Sequence, residues 1–238
     1  MTLTSIFRGK HLEPPPWLYA WMARGSLLRM IYRRINADLA AFLPAGAQVL
    51  DVGTGPGYLL GYLGERRPDL DLWGLDLAPA MIRRARRRQG GPNPRQPLKW
   101  VVADALALPF PAQAFDLALA TFSFHNWPQP VTGLTEMLRV VRPGGHAWIY
   151  EMQRQVPPAA IKAFAQEEKL PFPLVYLGFK ATSRHHALQT EAFTHILQEA
   201  GGEGWQLRPV HHLFWRAELQ RPARQSPEGP SPVRPHLD

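Results

Sequence analysis

Short apolar runs alternate with amphipathic stretches through the middle of the chain. Apolar runs of strand length lie at residues 49–52, 70–76, 98–103, 115–121 and 146–152. Between several of them, apolar residues recur at three- and four-residue intervals, as they do on one face of a helix. These stretches are 58–67, 78–89, 131–140 and 191–200. Strands that alternate with helices predict an α/β fold with a doubly wound, mostly parallel sheet.

The segments on either side of this alternation set the predicted domain organisation. Residues 1–44 are predicted to form an N-terminal helical cap before a main domain over 45–219. A basic amphipathic helix can also lie on a membrane, but it is more often half-buried in its own protein. Repeated Pro, Ser, Gly and Arg predict a disordered tail over 220–238. Six apolar residues at largely helical spacing support the cap: Leu27, Leu28, Ile31, Ile35, Leu39 and Phe42.

Residues 153–189 interrupt the alternation after the fifth predicted strand. The segment carries many large apolar residues, among them Ile161, Phe164 and Phe179. It predicts a mostly apolar lid or pocket wall beside the main domain. Packing of the same residues into the core is an equal alternative.

The first predicted strand runs directly into a turn with glycine at every second position, Gly53, Gly55 and Gly57. Glycine tolerates positive φ and lets a ligand approach the backbone, and the helix beyond offers unpaired N–H groups. The turn therefore predicts a nucleotide-like ligand, although an ordinary glycine-rich turn is the alternative. A dinucleotide fingerprint is excluded, because its third glycine would stand at Tyr58.

Acidic residues lie at the ends of three successive predicted strands. Asp51 lies near the end of the first, Asp76 ends the second 19 residues beyond Gly57, and Asp104 follows the third. The carboxyl ends of parallel strands share one edge, so we expect these side chains near the glycine turn. A carboxylate at Asp76 can accept hydrogen bonds from two ribose hydroxyls, and helix capping is its alternative role. For Asp104 the alternative is a solvated loop acid.

In this order and at this spacing, the motifs resemble those of class I methyltransferases that use S-adenosylmethionine (SAM). The resemblance is to the type 11 group, which contains the quinone C-methyltransferases, and it covers about residues 45–152. It implies a Rossmann-like, mostly parallel seven-stranded sheet with an antiparallel C-terminal hairpin over 205–219. It also implies that the insertion 153–189 shapes the acceptor site. The matching positions are 51–57, Asp76, Asp104, 115–116, 125–127 and 138–145.

The resemblance further implies which residues contact SAM. In that family the glycine turn wraps the aminoacyl end of the cofactor, and the acid after the third strand lies near the adenine amino group. Carried over residue by residue, the predicted cofactor-binding positions are Asp51, Gly53, Thr54, Gly55, Gly57, Asp76, Leu77, Asp104, Ala105 and Thr121.

The implied reaction is an in-line displacement, in which an O, N, S or C atom attacks the sulfonium methyl group. Because the cofactor supplies activation, the enzyme supplies mainly alignment and water exclusion. A general base would help a hydroxyl or activated-carbon acceptor, and His125, just past the fourth strand, is the first candidate. A pocket-lining role for His125 is the alternative. Glu151 and the pair His185 and His186 are weaker candidates.

The composition narrows the possible partners. The 238 residues include no Cys, which excludes disulfides, thiolate metal sites and cysteine nucleophiles. The histidines lack the spacing of a metal site, so no metal is expected. The chain has no run of roughly 18 apolar residues and no signal-peptide pattern. We therefore expect a cytoplasmic protein, without a membrane span, that acts on a small-molecule acceptor.

The positive charge raises nucleic acid as another partner. The net charge is +8, with 22 Arg against five Lys, and arginines concentrate at 83–88. A solvated helix face is favoured over a nucleic-acid patch, because no aromatic residues are interleaved there. Methylation of RNA at ribose or ring carbon stays open. Residues 121–124 lack the motif of adenine-amine enzymes, and cytosine C5 enzymes need Cys. A SAM-binding protein without catalysis is the remaining alternative.

Overall fold

The computed structural model describes residues 26–89, 98–201 and 204–223. The start of the predicted cap and most of the predicted tail, residues 1–25 and 224–238, lie outside the described residues. Of the helices in the described ranges, none combines the length and the apolar character needed to cross a membrane.

Seven helices and seven strands make up the described ranges, together with a short 3₁₀ turn at Phe124–Asn126. The helices are α1 (Ser26–Phe42), α2 (Tyr58–Arg66), α3 (Pro79–Gln89), α4 (Pro130–Val140), α5 (Pro158–Glu167), α6 (Phe172–His186) and α7 (Thr190–Gly201). The strands are β1 (Gln48–Val52), β2 (Asp71–Asp76), β3 (Lys99–Val102), β4 (Phe115–Thr121), β5 (Val141–Met152), β6 (Trp205–Val210) and β7 (Phe214–Gln220).

The strands form one sheet in the order β3-β2-β1-β4-β5-β7-β6. Strands β1 to β5 are parallel, and β7 runs antiparallel to both of its neighbours, β5 and β6. This confirms the predicted Rossmann-like sheet with its antiparallel C-terminal hairpin. The strand order reverses between β1 and β4, so the switch point, where such sheets bind ligands, lies at the carboxyl ends of these two strands.

Apolar layers cover both faces of the sheet because successive residues of a strand point to opposite sides. In β4, Leu117 and Leu119 face one layer, which contains buried residues of α1, α2, α3, α5 and α6. Ala118 and Ala120 face the other, which contains buried residues of α4 and α7. Both layers leave the carboxyl edge of the sheet to the loops that follow β1, β2 and β4.

Helix α1 packs into the main core. Ile31, Ile35 and Leu39 are buried, as their helical spacing predicts. Phe42 was predicted on the same apolar side, but it is 39% exposed. It is the last residue of α1, and its ring centroid lies 4.3 Å from that of Trp148 on the interior strand β5.

Strand β5 begins earlier than predicted. The sequence places its start at residue 146, after a turn containing Gly144. In the structure Val141 already pairs with Phe115, and the ladder resumes at Leu117 with His146 after a register shift. The predicted turn is therefore an irregularity inside the strand, where Gly144 adopts φ 80°.

The last strand also extends further than predicted. β7 runs to Gln220, and the Arg221 N–H donates to the Gly145 carbonyl at 3.0 Å. The Arg221 guanidinium donates to three carbonyls at the end of α4 and the start of β5, so the predicted tail cannot begin at residue 220. These carbonyls belong to Leu138, Arg139 and Val141, at 2.6 to 3.1 Å.

The insertion 153–189 forms α5 and α6. Ile161, Phe164 and Phe179 join the core, as the packing alternative predicts. The same segment also borders a cavity of about 500 Å³. The wall of this cavity is polar where a mostly apolar one was predicted, since its described lining is Arg154, Gln155, Tyr176, Lys180 and Ser183.

Candidate active site

The glycine turn between β1 and α2 is fastened to the end of β2. The backbone N–H groups of Gly53 and Thr54 both donate to the Leu75 carbonyl, at 2.8 and 2.9 Å. The next N–H, that of Gly55, donates to Asp76 Oδ2 at 2.8 Å. The turn and the acid after the second strand therefore form one unit at the carboxyl edge of the sheet.

The three glycines of the turn have positive φ, but their surroundings differ. A Cβ at Gly53 would lie 2.5 Å from the Ser123 side chain, and one at Gly57 would collide with Trp100. A Cβ at Gly55, where φ is 56°, would meet nothing within 4 Å. Packing within the protein accounts for Gly53 and Gly57, whereas Gly55 borders open space.

Asp51 is buried at the switch point with an incomplete set of partners. Thr54 Oγ1 donates to Asp51 Oδ2 at 2.7 Å, and Oδ1 is buried with no hydrogen-bond partner among the described residues. The pKa of Asp51 is raised to about 7, mainly by burial. The Thr54 hydrogen bond acts to lower this pKa, and the nearby charge of Asp76 acts to raise it. A cationic or N–H-bearing ligand group would relieve this desolvated carboxylate.

Asp76 holds two backbone N–H groups. Its Oδ2 accepts from Gly55, and its Oδ1 accepts from Ala78 at the start of α3, each at 2.8 Å. The second contact lies ahead of α3, whose N-cap is Ala78, because the Ala78 carbonyl accepts the N–H groups of Met81 and Ile82. Asp76 therefore organises the backbone on both sides of it without being the N-cap, and its contact with a ribose stays a prediction.

Large apolar side chains are exposed beside Asp76. Leu77 is 65% exposed and Val102, the register partner of Asp76 on β3, is 46% exposed. Beyond β3, Ala105 is half-buried and the exposed Asp104 accepts the Leu106 N–H at 2.9 Å. Apolar surface at a polar edge suits a flat aromatic ring of a ligand. Val102 was not among the predicted cofactor-binding residues. Its exposure becomes apparent only from the structure.

The end of β4 brings a second loop against the glycine turn. Ser123 Oγ donates to the Val52 carbonyl at 2.9 Å, and the hydroxyl of the buried Thr121 has no partner among the described residues. Phe122 between them adopts φ 54°, a strained conformation that for a non-glycine residue often marks a functional site. Ser123 and Phe122 were not predicted as site residues, because their roles depend on contacts with distant elements.

His125 lies in the 3₁₀ turn after β4 and contacts the end of β5. Its Nδ1 is 3.0 Å from Glu151 Oε2, and its backbone N–H donates to Oε1 at 3.2 Å. The side chains are 7% and 0% exposed. Because a carboxylate oxygen accepts hydrogen bonds, the tautomer with the proton on Nδ1 suits this contact and makes Nε2 the basic ring nitrogen. The structure thus joins two residues that the sequence offered as separate base candidates.

The other titratable candidates are His185 and His186. Both residues end α6, and their side chains lie outside the description. Across the described ranges, His, Asp and Glu side chains form no group of three that could hold a metal ion.

The residues at the carboxyl edge fit an adenosyl cofactor with an amino-acid tail. The unpartnered Asp51 oxygen and the open space at Gly55 suit a charged tail, Asp76 lies beside them, and the exposed Leu77 and Val102 suit a purine. His125 lies past the neighbouring strand, next to a buried carboxylate. The arrangement can bind such a cofactor on one side and accept a proton on the other.

Comparison with known proteins agrees with this geometry. Residues 50–149 match a family described as a methyltransferase domain. The chain is 37% identical over 149 residues to a demethylmenaquinone methyltransferase of Thermus thermophilus, which covers 62% of this chain and 64% of the relative. It is 34% identical over 120 residues to a ubiquinone/menaquinone biosynthesis C-methyltransferase of Roseobacter denitrificans, which covers 50% and 48%. The chain therefore spans about half to two thirds of the length of these curated relatives.

Solved structures support the fold. A SAM-dependent methyltransferase from Aquifex aeolicus matches with a TM-score of 0.64 at 19% identity, over 87% of this chain and 98% of that chain. The fold is that of class I SAM-dependent methyltransferases. Residues 50–149 match the model of the type 11 methyltransferase domain.

Proposed function

We propose that this protein transfers the methyl group of SAM to a small-molecule acceptor held beside His125. The observation that carries the proposal is the state of Asp51. Its carboxylate is buried at the switch point with one oxygen unpartnered in the described structure, beside a glycine turn that is open at Gly55. Such a group is costly in a protein that binds nothing there, whereas the amino-acid tail of SAM carries a matching ammonium group.

The remaining cofactor contacts follow from the same edge. In this proposal the backbone at Gly53 and Gly55 lies against the amino-acid tail, and Asp76 accepts from the ribose hydroxyls. Leu77 and Val102 supply apolar surface for the adenine ring. Asp104 and Ala105 border the same ring from the loop after β3.

SAM supplies the activated methyl group when it is bound. The chain's own residues align the acceptor, exclude water and accept a proton. His125 Nε2 accepts the proton of a hydroxyl or an activated carbon as that atom attacks. Glu151 holds the imidazole ring in place through Nδ1 and offsets the positive charge that develops on it.

The acceptor is proposed as a small molecule because the curated relatives are named for quinone methylation. An RNA acceptor is not favoured. Two arginines of the basic helix α3 already contact the protein, since Arg86 donates to the Trp100 carbonyl at 3.0 Å and the Arg88 guanidinium lies 3.9 Å from the Tyr58 ring centroid. A cytoplasmic location stays a prediction.

Calorimetry with S-adenosylhomocysteine (SAH), the demethylated product, tests the proposal. The wild-type protein should bind SAH, and Asp76→Ala should weaken binding about 100-fold, because two hydrogen bonds to the charged group organise the turn. Asp71→Ala is the matched control on the same strand. Asp71 lies at the opposite end of β2, where it pairs with Lys99 at 2.8 Å, and its loss should leave SAH affinity unchanged.

Two results contradict the proposal. Folded protein that gives no heat with SAM or SAH removes the cofactor site, and Asp76→Ala with wild-type affinity removes the assigned ribose contact. A turnover assay with phenolic, amine and quinone acceptors separates an enzyme from a SAM-binding protein without catalysis. Methylated product from any of them supports the enzyme.

A further inference from the structure

The cavity bordered by the insertion has an unusual lining. Its described walls are the residues directly after β5, Arg154 and Gln155, and one side of α6, Tyr176, Lys180 and Ser183. Ser183 is 2% exposed although it is polar. Each of these five side chains can donate a hydrogen bond, and none carries a negative charge. The lining therefore favours an acceptor of hydrogen bonds.

The two cations of the lining are not neutralised within the described structure. No carboxylate of the described residues lies within 4.0 Å of the charged atoms of either Arg154 or Lys180. The Arg154 guanidinium has a marginal contact with the Ala187 carbonyl, at 3.5 Å, and the Lys180 ammonium lies 5.7 Å from the Tyr176 ring centroid. Two like charges facing one cavity without a counter-ion leave a positive potential there.

A second cavity, of about 560 Å³, shows that this is not a general property of the surface. It is also lined by basic side chains, Arg34, His211 and His212, but these are paired. Arg34 bonds Glu167 at 2.8 Å, and His212 bonds the same carboxylate at 2.8 Å. His211 lies 2.9 Å from Asp38. Carboxylates accompany the cations in one cavity and are missing from the described walls of the other.

The cationic cavity is separate from the cofactor edge but close to the proposed base. No residue of the glycine turn belongs to its described lining. Arg154 follows Glu151, the partner of His125, by three residues, so their Cα atoms lie at most about 11 Å apart. A ligand of moderate size can therefore reach from Arg154 to the reacting side of the edge.

We infer that this cavity binds the anionic group, a carboxylate or a phosphate, of the methyl acceptor, with Arg154 and Lys180 as its counter-charges. The inference rests on the proposed methyl transfer, and it narrows the acceptor to acidic small molecules. Tyr176, paired with Phe172 at 5.5 Å between ring centroids, offers an aromatic surface beside the cations for a ring that carries the anionic group.

A series of probes that differ in charge tests the inference. Benzoate, phenyl phosphate, neutral benzyl alcohol and cationic benzylamine are titrated into SAH-saturated protein. The two anions should bind more tightly than benzyl alcohol, and benzylamine should bind least. Whether benzoate or phenyl phosphate binds more tightly identifies the anionic group. Raising the salt concentration should weaken the binding of the two anions, because their attraction to the cavity is electrostatic.

Substitutions assign the binding to the cavity. Arg154→Gln and Lys180→Gln should each weaken the binding of benzoate or phenyl phosphate about tenfold, because each removes a charge-assisted hydrogen bond. The affinity for benzyl alcohol should stay unchanged. Lys162→Gln is the matched control, because Lys162 is exposed on α5 and is not part of the described lining. Thermal unfolding and SAH affinity confirm that each variant is folded.

The outcomes separate this inference from the proposed function. A double variant combines Arg154→Gln with Lys180→Gln. If it binds SAH and keeps wild-type affinity for both anions, the inference is wrong and the proposed function stands. If the protein binds anions through Arg154 and Lys180 but does not bind SAH, the proposed function fails, and the acceptor role of the cavity fails with it. In turnover, acidic phenols should be methylated faster than neutral ones, and a preference for neutral phenols would also overturn the inference.

Discussion

The two sides of the carboxyl edge are built in different ways. On the cofactor side, contacts are made by backbone N–H groups and carboxylates close to the ends of their strands, as in the bond between Gly55 and Asp76. On the acceptor side, contacts join one side chain to another. His125 and Glu151 are 26 residues apart, and the cationic cavity combines Arg154 with α6.

This difference has a physical consequence. Backbone groups are the same in every sequence, so the cofactor side depends on a few positions where glycine or Asp is needed. Side chains can be replaced one at a time, so the acceptor side can change its chemistry while the sheet stays intact. We therefore expect substitutions to affect cofactor affinity on one side and turnover on the other.

The largest effect is expected on the acceptor side. His125→Ala should lower turnover about 100- to 10,000-fold, the usual contribution of a general base, with SAH affinity nearly unchanged. Glu151→Gln should lower turnover less, because it weakens the positioning of the ring without removing it. His195→Ala is the control, since this side chain is 78% exposed on α7. Full activity in His125→Ala would end the proposed role of His125.

An intermediate effect is expected at Asp51, where binding and stability should change in opposite directions. Its pKa is raised to about 7, so the folded cofactor-free protein holds a proton that the unfolded chain releases. Stability should therefore fall as the pH rises from about 4 to about 7 and remain lower above it. Asp51→Asn cannot ionise, so it should be more stable than wild type at about pH 8 and similar below about pH 4.

Urea unfolding without cofactor at both pH values measures the stability effect, and calorimetry measures the other half of the prediction. Asp51→Asn should bind SAH about tenfold more weakly, because the counter-charge for the amino group is gone. Asp71→Asn, at an exposed position, should change neither quantity. An Asp51→Asn variant that is less stable at about pH 8 would contradict the assigned environment.

The smallest effect is expected when alanine replaces either of two glycines that have positive φ. Gly55 and Gly144 both have positive φ, and a Cβ at either would meet nothing within 4 Å. Gly55→Ala and Gly144→Ala should each cost about 1–2 kcal/mol of stability, the penalty of the left-handed conformation. SAH affinity should fall only for Gly55→Ala. Equal SAH affinity in both variants would show that the space at Gly55 is not used.

The same difference between the two sides explains what could be predicted from the sequence. The sheet, the glycine turn and the strand-end acids follow from local patterns, and β4 has the predicted bounds, Phe115–Thr121. The N-cap predicted at Asp76 lies two residues later, at Ala78, whose carbonyl accepts the first N–H groups of α3. The assigned cofactor contacts remain predictions that the experiments above test.

Features that depend on distant contacts could not be derived from local patterns. Ser123 matters because it fills the space beside Gly53, and neither residue indicates the other in sequence. The exposure of Phe42 depends on where α1 ends, and the early start of β5 depends on its pairing with β4. The polar cavity wall was missed because the insertion was judged by its apolar residues, whereas Arg154 and Lys180 define its chemistry.

The hydrogen bonds of Arg221 have a practical consequence for shortening or extending the chain. Its side chain holds the last turn of α4, and its backbone holds the bulge of β5, so a protein cut before this residue would lose both attachments. Removal of Arg221 should therefore lower the melting temperature. An affinity tag joined after Ala223 should leave those attachments in place.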